Sequence, residues 1–201
     1  MEARFKFNMP TQTALNILAA HYASAVLRRH KKPRFDENTQ QNLYALAKCL
    51  TAEEPKFGVM FCGTCGNGKS TMLEALMTAT LSLGCNHFRY IHESFDPNMR
   101  IMDARDIVLL GKDFDTIRRL RSRDLLAIDD FGKEPAEVMD YGTMLNPLVH
   151  LLEFRYNQQL FTAISTNLTA SEIKAKYGVR IADRFNEMLE VIVFQDISYR
   201  R

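Results

Sequence analysis

Gly63-Thr64-Cys65-Gly66-Asn67-Gly68-Lys69-Ser70 is the stretch on which the reading of this chain turns. The octet satisfies G-x-x-x-x-G-K-[ST], the pattern of a phosphate-binding loop. Glycines at 63, 66 and 68 permit backbone angles that a Cβ would forbid, so the loop's N–H groups can converge on a phosphate. Lys69 supplies a charge for the β- and γ-phosphates, and the Ser70 hydroxyl suits Mg2+. Thr64, Cys65, Asn67 and Thr71 complete the segment expected to touch the nucleotide. The flanks agree with this. Residues 57–62 read as a buried strand, and residues 71–83 as a helix that Gly84 ends. Strand, glycine loop and helix, in that order, is the context the motif requires.

Working outward, the elements alternate. Upstream, residues 11–29 carry Leu15, Leu18, Ala19, Tyr22 and Val26 at helical spacing, with Thr11 or Thr13 as a cap, and residues 1–10 read as extended or mobile. Pro33 marks a boundary, and residues 36–50 form a second helix with Asp36 as its N-cap. Downstream, strands are expected at residues 87–91, 125–129, 160–165 and 190–194. Helical segments are expected from 103 or 104 to 120 with a break near Gly111, and at 147–157, 171–177 and 180–189. Pro147 suits a first helical position. Strands alternating with helices imply an α/β fold whose mostly parallel sheet is covered on both faces.

A phosphate loop needs an acidic partner. The apolar run Leu125-Leu126-Ala127-Ile128 ends in Asp129-Asp130, which places carboxylates at the sheet edge where ligands of α/β folds gather. Asp129 fits the Mg2+-holding role and Asp130 a water-orienting one. Asn167, in Ser165-Thr166-Asn167 at the end of the next strand, is placed to touch the γ-phosphate or the attacking water, although asparagine also favours turns after strands. Arg180 and Arg184 are four residues apart and share a helix face. That face could serve a neighbouring subunit's nucleotide as an arginine finger, or it could belong to an ordinary ion-paired helix.

Bulk properties narrow the classes. With 201 residues the chain can bury one sizeable core. No apolar run is long enough to span a membrane, and residues 1–10 lack an apolar signal segment, so a cytoplasmic location is expected. The net charge of +2 excludes a global basic field, but the charge is clustered. One basic run covers residues 28–34, and Arg118, Arg119, Arg121 and Arg123 form another. Either could hold nucleic-acid phosphates or be a solvated face. No aromatic residue is interleaved in them, so base stacking is not indicated there. Cys62 and Cys65 are spaced C-x-x-C, but no second such pair completes a zinc set, so two reduced thiols are expected, with a redox switch as the alternative.

The phosphate loop, then LLAIDDFG at 125–132, STNL at 165–168 and YGVRIADRF at 177–185, together resemble the DnaC/IstB branch of AAA+ ATPases. The closing Ser198-Tyr199-Arg200 is similar to the tail of DnaC-type loaders. The likeness covers roughly residue 35 onward. It implies a P-loop NTPase core of AAA+ type at 35–201 with a five-stranded sheet and no C-terminal lid domain. The short helical N-terminal extension at 1–34 departs from the larger partner-binding domain of full-length loaders; its apolar stripe either docks a partner or packs on the core. The likeness further implies ATP and Mg2+ as ligands, with Lys69 and Ser70 on phosphate and metal, Asp129 as the Walker B acid, Asp130 orienting water, Asn167 as sensor 1, and one of Arg180 and Arg184 acting in trans. Hydrolysis is expected to be slow, because many relatives carry glutamate where Asp130 stands. Members of this branch load a replicative helicase or assist a transposase, bind single-stranded DNA and form ATP-dependent homo-oligomers. A nucleotide-gated binding module with negligible turnover is the alternative of another class. A small-molecule kinase fits less well, since no arginine-bearing lid is evident between the Asp129 and Asn167 strands.

Overall fold

In the computed structural model the described residues are 4–89, 92–135, 138–140, 143–195 and 199. The first elements are β1 (Lys6–Phe7), α1 (Thr11–Arg28) and α2 (Glu37–Thr51). β2 (Gly58–Cys62) then leads through the glycine loop into α3 (Lys69–Leu83). Next come β3 (Phe88–Arg89), β4 (Arg100–Asp103), α4 (Ala104–Leu109) and α5 (Phe114–Arg121), the last two separated by a single 3-10 turn that contains Gly111. β5 (Leu125–Phe131) is followed by the hairpin β6 (Val138–Asp140) and β7 (Thr143–Leu145). The remainder is α6 (Pro147–Asn157), β8 (Phe161–Thr166), α7 (Ala170–Tyr177), α8 (Val179–Met188) and β9 (Glu190–Val193). Asp36 caps α2 as its position predicts, accepting from the Thr39 N–H at 2.9 Å.

Among the described residues, five strands form one parallel sheet in the order β4-β5-β8-β2-β9. Alternation along each strand feeds two cores. Val59 and Phe61 of β2 pack with Leu18, Leu43, Leu46, Leu73 and Leu76 from α1, α2 and α3. Met60, Ile128 and Ile164 pack on the opposite face with Ile107, Leu148, Leu152 and Phe185 from α4, α6 and α8. Each of these apolar side chains, once removed from water, contributes about 1.5–3 kcal/mol.

Two expectations change. The fifth strand of the sheet is Arg100–Asp103, not the segment at 87–91. Phe88–Arg89 is extended, but it pairs antiparallel with Lys6–Phe7 in a separate two-stranded ribbon, and Tyr90 and Ile91 lie outside the described residues. That ribbon gives part of the N-terminal stretch a fixed place: Phe5, Phe7 and Phe88 join Phe95 and Phe161 in an aromatic cluster. The second change concerns α1. Its Ala14, Leu18 and Tyr22 are buried in the same core as α3, and Ala25 is buried too, so the stripe packs within the chain, the second of the two sequence alternatives. Thr11 does not cap α1 but shares a 2.8 Å hydrogen bond with Thr51 of α2, while Pro10 holds the N-cap position.

A buried cation ties α6 to the sheet. Arg155 is fully buried and donates to Thr162 Oγ1 at 2.8 Å and to the carbonyls of Arg121, Arg123, Asp124 and Phe161 at 3.1, 2.6, 3.4 and 2.6 Å. The Arg121 carbonyl ends α5 and those of Arg123 and Asp124 lie in the link to β5, where the C-terminal end of α5 carries partial negative charge.

Candidate nucleotide site

The glycine loop emerges at the C-terminal edge of β2, and its last two motif residues, Lys69 and Ser70, already form the first turn of α3. Gly68 adopts φ +97°, a left-handed angle that presents the start of α3 to whatever the loop encloses. Gly63 is required for a second reason: a Cβ there would fall 2.4 Å from Asn67 Nδ2 and 2.5 Å from the Phe194 carbonyl oxygen. Lys69 Nζ donates to the carbonyls of Gly63 and Thr64 at 2.7 and 2.6 Å and to Asn67 Oδ1 at 2.9 Å. Burial holds its pKa below the ordinary lysine value.

The acidic strand is bent at the motif. Ile128 pairs with Ile164 and Phe131 with Thr166, so β5 carries one residue more than β8 over Asp129-Asp130. Asp130 takes the extra position with φ +57°, a backbone conformation that aspartate tolerates better than most side chains. This bulge aims the two carboxylates differently. Asp129 Oδ1 accepts from Ser70 Oγ at 3.0 Å, from the Asp130 N–H at 3.1 Å and from Ser165 Oγ. Asp130 Oδ2 pairs with Lys133 Nζ at 2.7 Å. Asn167 follows β8, which lies between β2 and β5, so it comes between the glycine loop and the acids.

Beside these groups lies a cavity of about 450 Å3, a size suited to a nucleotide, which Asp129 does not line itself but meets through Ser70. Cys65, Gly66, Asn67, Gly68, Lys69, Ser70 and Thr71 line it, with Asp130, Lys133 and Asn167. Gly63 and Thr64 contribute through their carbonyls on Lys69 instead. The other wall comes from distant sequence: Tyr22, Val26, Arg29, Lys31, Lys32 and Arg34 of α1 and the α1–α2 linker, and Tyr199. The Tyr199 N–H donates to the Gly66 carbonyl at 2.9 Å, and its hydroxyl donates to Asp36 Oδ2 at 2.8 Å. Of the closing triplet, Ser198 and Arg200 lie outside the described residues.

Solved structures with this architecture include the DnaC helicase loader, at 19% identity and a TM-score of 0.62, covering 87% of this chain and 98% of that one. DnaI aligns at 15% identity and a TM-score of 0.61, covering 94% of this chain and 96% of that one. AMPPCP-bound DnaA from Aquifex aeolicus aligns at 15% identity and a TM-score of 0.56, covering 81% of this chain and 48% of that one. The chain has a DnaC-like AAA+ fold. At these identities the likeness is one of fold. No protein-family model and no curated protein sequence matches the chain.

Within this AAA+ fold the remaining sequence-predicted residues stand apart from the cavity. Arg180 Nε and Arg184 Nη1 both reach Glu153 Oε1 of α6, at 3.2 and 2.7 Å. Their surroundings differ: the Arg180 side chain is 72% exposed, whereas that of Arg184 is 14% exposed and lies over the Tyr156 ring at 5.0 Å. Arg121 ends α5 and Arg123 lies in the link from α5 to β5, so both sit at the sheet edge opposite the glycine loop. Arg121 lies over the Phe154 ring at 4.6 Å and Arg123 pairs with Asp96 at 3.3 Å, while Arg118 and Arg119 are exposed.

Sequence reading missed three contributors. Lys133 neutralises Asp130. Ser165 anchors Asp129 and also accepts from the Asp130 N–H at 3.0 Å. Glu134, buried, accepts from the Tyr177 hydroxyl and from the Gly132 N–H at 2.9 Å and pairs with Lys176 at 3.4 Å, tying the loop after Asp130 to the helix before Arg180. The one available signal was the proximity of Lys133 and Glu134 to the acidic pair in sequence.

All four cysteines are free. Burial pushes the Cys49 thiol up to about 12 and raises that of Cys62, whereas Cys65 and Cys85 are exposed. Because the thiolate is the reactive form, alkylation at neutral pH is expected to modify Cys65 and Cys85 well before Cys62 and Cys49. Peptide mass spectrometry over a labelling time course reads the order, and early labelling of Cys62 would count against this account of the loop.

Proposed function

We propose that this chain binds and hydrolyses ATP as a DnaC-like AAA+ protein, and that it loads or remodels a DNA-bound partner, a replicative helicase, in DNA replication. The observation that carries this reading is the 3.0 Å hydrogen bond from Ser70 to Asp129, which joins the glycine loop to the acidic strand beside the cavity. Two hard oxygen donors at that spacing fit Mg2+, which keeps few protein ligands. When bound there, the ion would neutralise charge on the phosphates.

The chain's own groups then have distinct tasks. The N–H groups of Gly66 to Ser70 and the positive end of α3 receive the phosphates. Lys69 exchanges a loop carbonyl for phosphate oxygen. Asp130 orients water once Lys133 turns from it toward the γ-phosphate, and Asn167 fixes that water from the intervening strand. Arg180, exposed on α8, serves a neighbouring subunit's site as the trans-acting group, and Arg184 positions α8 through Glu153 and Tyr156. Single-stranded DNA is the expected ligand of the assembled form.

Light scattering coupled to size-exclusion chromatography tests this without nucleotide, with ADP, and with a non-hydrolysable ATP analogue plus single-stranded DNA. Assembly is expected only in the last condition. Arg180→Ala is expected to lower assembled-state hydrolysis by about a thousandfold, as loss of an arginine finger does, with ATP affinity retained. A monomer in every condition would leave the second reading, a nucleotide-gated binding module. The 2.7 Å Lys133–Asp130 pair favours that reading to the extent that it keeps the carboxylate from water.

A further inference from the structure

The run at 28–34, which from sequence alone could be a nucleic-acid patch or a solvated face, supplies a wall of the candidate nucleotide cavity. Arg29 is the C-cap residue of α1, and its Nη1 donates to Thr71 Oγ1 at 2.7 Å. Thr71 is buried in the first turn of α3, directly after Ser70. Arg29 Nη2 reaches Glu74 Oε2 at 2.9 Å. Glu74 is already engaged by Arg28, whose Nε and Nη2 lie 3.1 and 2.8 Å from Oε1. Two guanidiniums therefore share one carboxylate, and one positive charge is left over at the mouth of the cavity.

The surplus extends along the whole wall. The cations lining the cavity are Arg29, Lys31, Lys32, Arg34, Lys69 and Lys133, and among the described residues Asp130 is the one acid lining it. Lys31 spends its contact on the Tyr199 carbonyl, at 3.2 Å. Such an excess of cations in a walled cavity attracts a compact polyanion.

We propose that Arg29 is a phosphate-reading residue of this site, holding the α- and β-phosphates of a nucleoside di- or triphosphate. The inference rests on the ATP reading given above. Successive residues of a helix are turned by about 100°. Ser70 faces Asp129 and the γ-phosphate side, so Thr71, with Arg29 upon it, faces the base side of the phosphate chain. Arg29 keeps Thr71 and exchanges Glu74 for phosphate oxygen, which its forked donors suit. Glu74 falls back on Arg28 alone.

The test measures ATP, ADP and single-stranded DNA affinities of the wild-type chain, Arg29→Ala, Glu74→Gln and the double variant. Arg29→Ala is expected to weaken ATP and ADP alike, by about tenfold or more, leaving their ratio unchanged. Glu74→Gln removes the competing carboxylate and is expected to tighten both several-fold. A purely structural Arg29–Glu74 pair would instead make both variants weaker. In the double variant the gain from Glu74→Gln should vanish, since it acts through Arg29. ATP and ADP affinities of Arg29→Ala within twofold of wild type would overturn the assignment. So would a loss confined to DNA affinity, which would return the run to a nucleic-acid surface. If the wild-type chain binds neither nucleotide, the ATP reading itself falls and takes this inference with it.

Discussion

Lys69→Ala is expected to lower ATP affinity by at least a hundredfold while leaving the fold intact. The ammonium group is buried and spends its donors on the Gly63 and Thr64 carbonyls and on Asn67 Oδ1. On the proposed reading alanine removes the charge that would meet the phosphates, and a hydrogen bond to a charged group contributes about 1.5–3 kcal/mol. It also removes the group that gathers the loop around itself, so the N–H groups lose their common aim. The two effects together reach about 3–4 kcal/mol, a factor of several hundred in affinity. Calorimetric titration with ATP measures the loss, and an unchanged melting temperature separates it from unfolding. Affinity within tenfold of wild type would mean that this loop does not hold the phosphates.

The second large effect is on stability. Arg155→Met, which keeps the length of the side chain and removes its donors, is expected to destabilise the chain by about 3–5 kcal/mol. Four carbonyls and the Thr162 hydroxyl would lose their partner in an enclosed site. Against a total stability of roughly 5–15 kcal/mol, that is a substantial fraction. The melting temperature should fall by roughly 10 °C. Burial pulls the Arg155 pKa down from the ordinary arginine value to about 9, so the guanidinium is charged at neutral pH in both the folded and the unfolded chain. Between those two values the unfolded chain binds more protons, so this group's contribution to stability rises with pH there and is flat below pH 9. The loss in Arg155→Met should therefore be the same at pH 6 and pH 8, within about 0.5 kcal/mol. A melting temperature unchanged from wild type would refute the role given to Arg155.

The parts of the site that were legible in sequence are those whose chemistry is local. The glycine loop announces itself because a tight anion-binding turn demands glycines at fixed offsets. Asp129 is marked by the apolar run before it, and Asp36 by the start of an amphipathic helix. β4 was missed because Arg100-Ile101-Met102-Asp103 is an edge strand with an exposed or half-buried pattern, with no apolar run to mark it. Phe88 was a more visible strand former, yet its apolar side chain serves the aromatic cluster under β1. Arg155 did leave a trace. Leu148, Leu151, Leu152 and Arg155 follow the spacing of a buried helix face, so an arginine in that series was placed among core positions. The destination of the basic run at 28–34 left none. Whether a charged linker faces solvent or a cavity is decided by the packing of α1 on α3, and no local pattern encodes that.

The glycine loop is held at one side by residues much farther along the chain. Gly66 accepts from Tyr199 at 2.9 Å, and Asn67 Nδ2 reaches the Phe194 and Gln195 carbonyls at 3.5 Å. When Ser70 leaves the ribosome, none of those partners has yet been made. At synthesis rates of about 5–20 residues per second, they arrive on the order of ten seconds later. Under the ATP reading proposed above, a nascent chain presents an unfinished loop, and capture of the nucleotide follows once the chain has closed on itself.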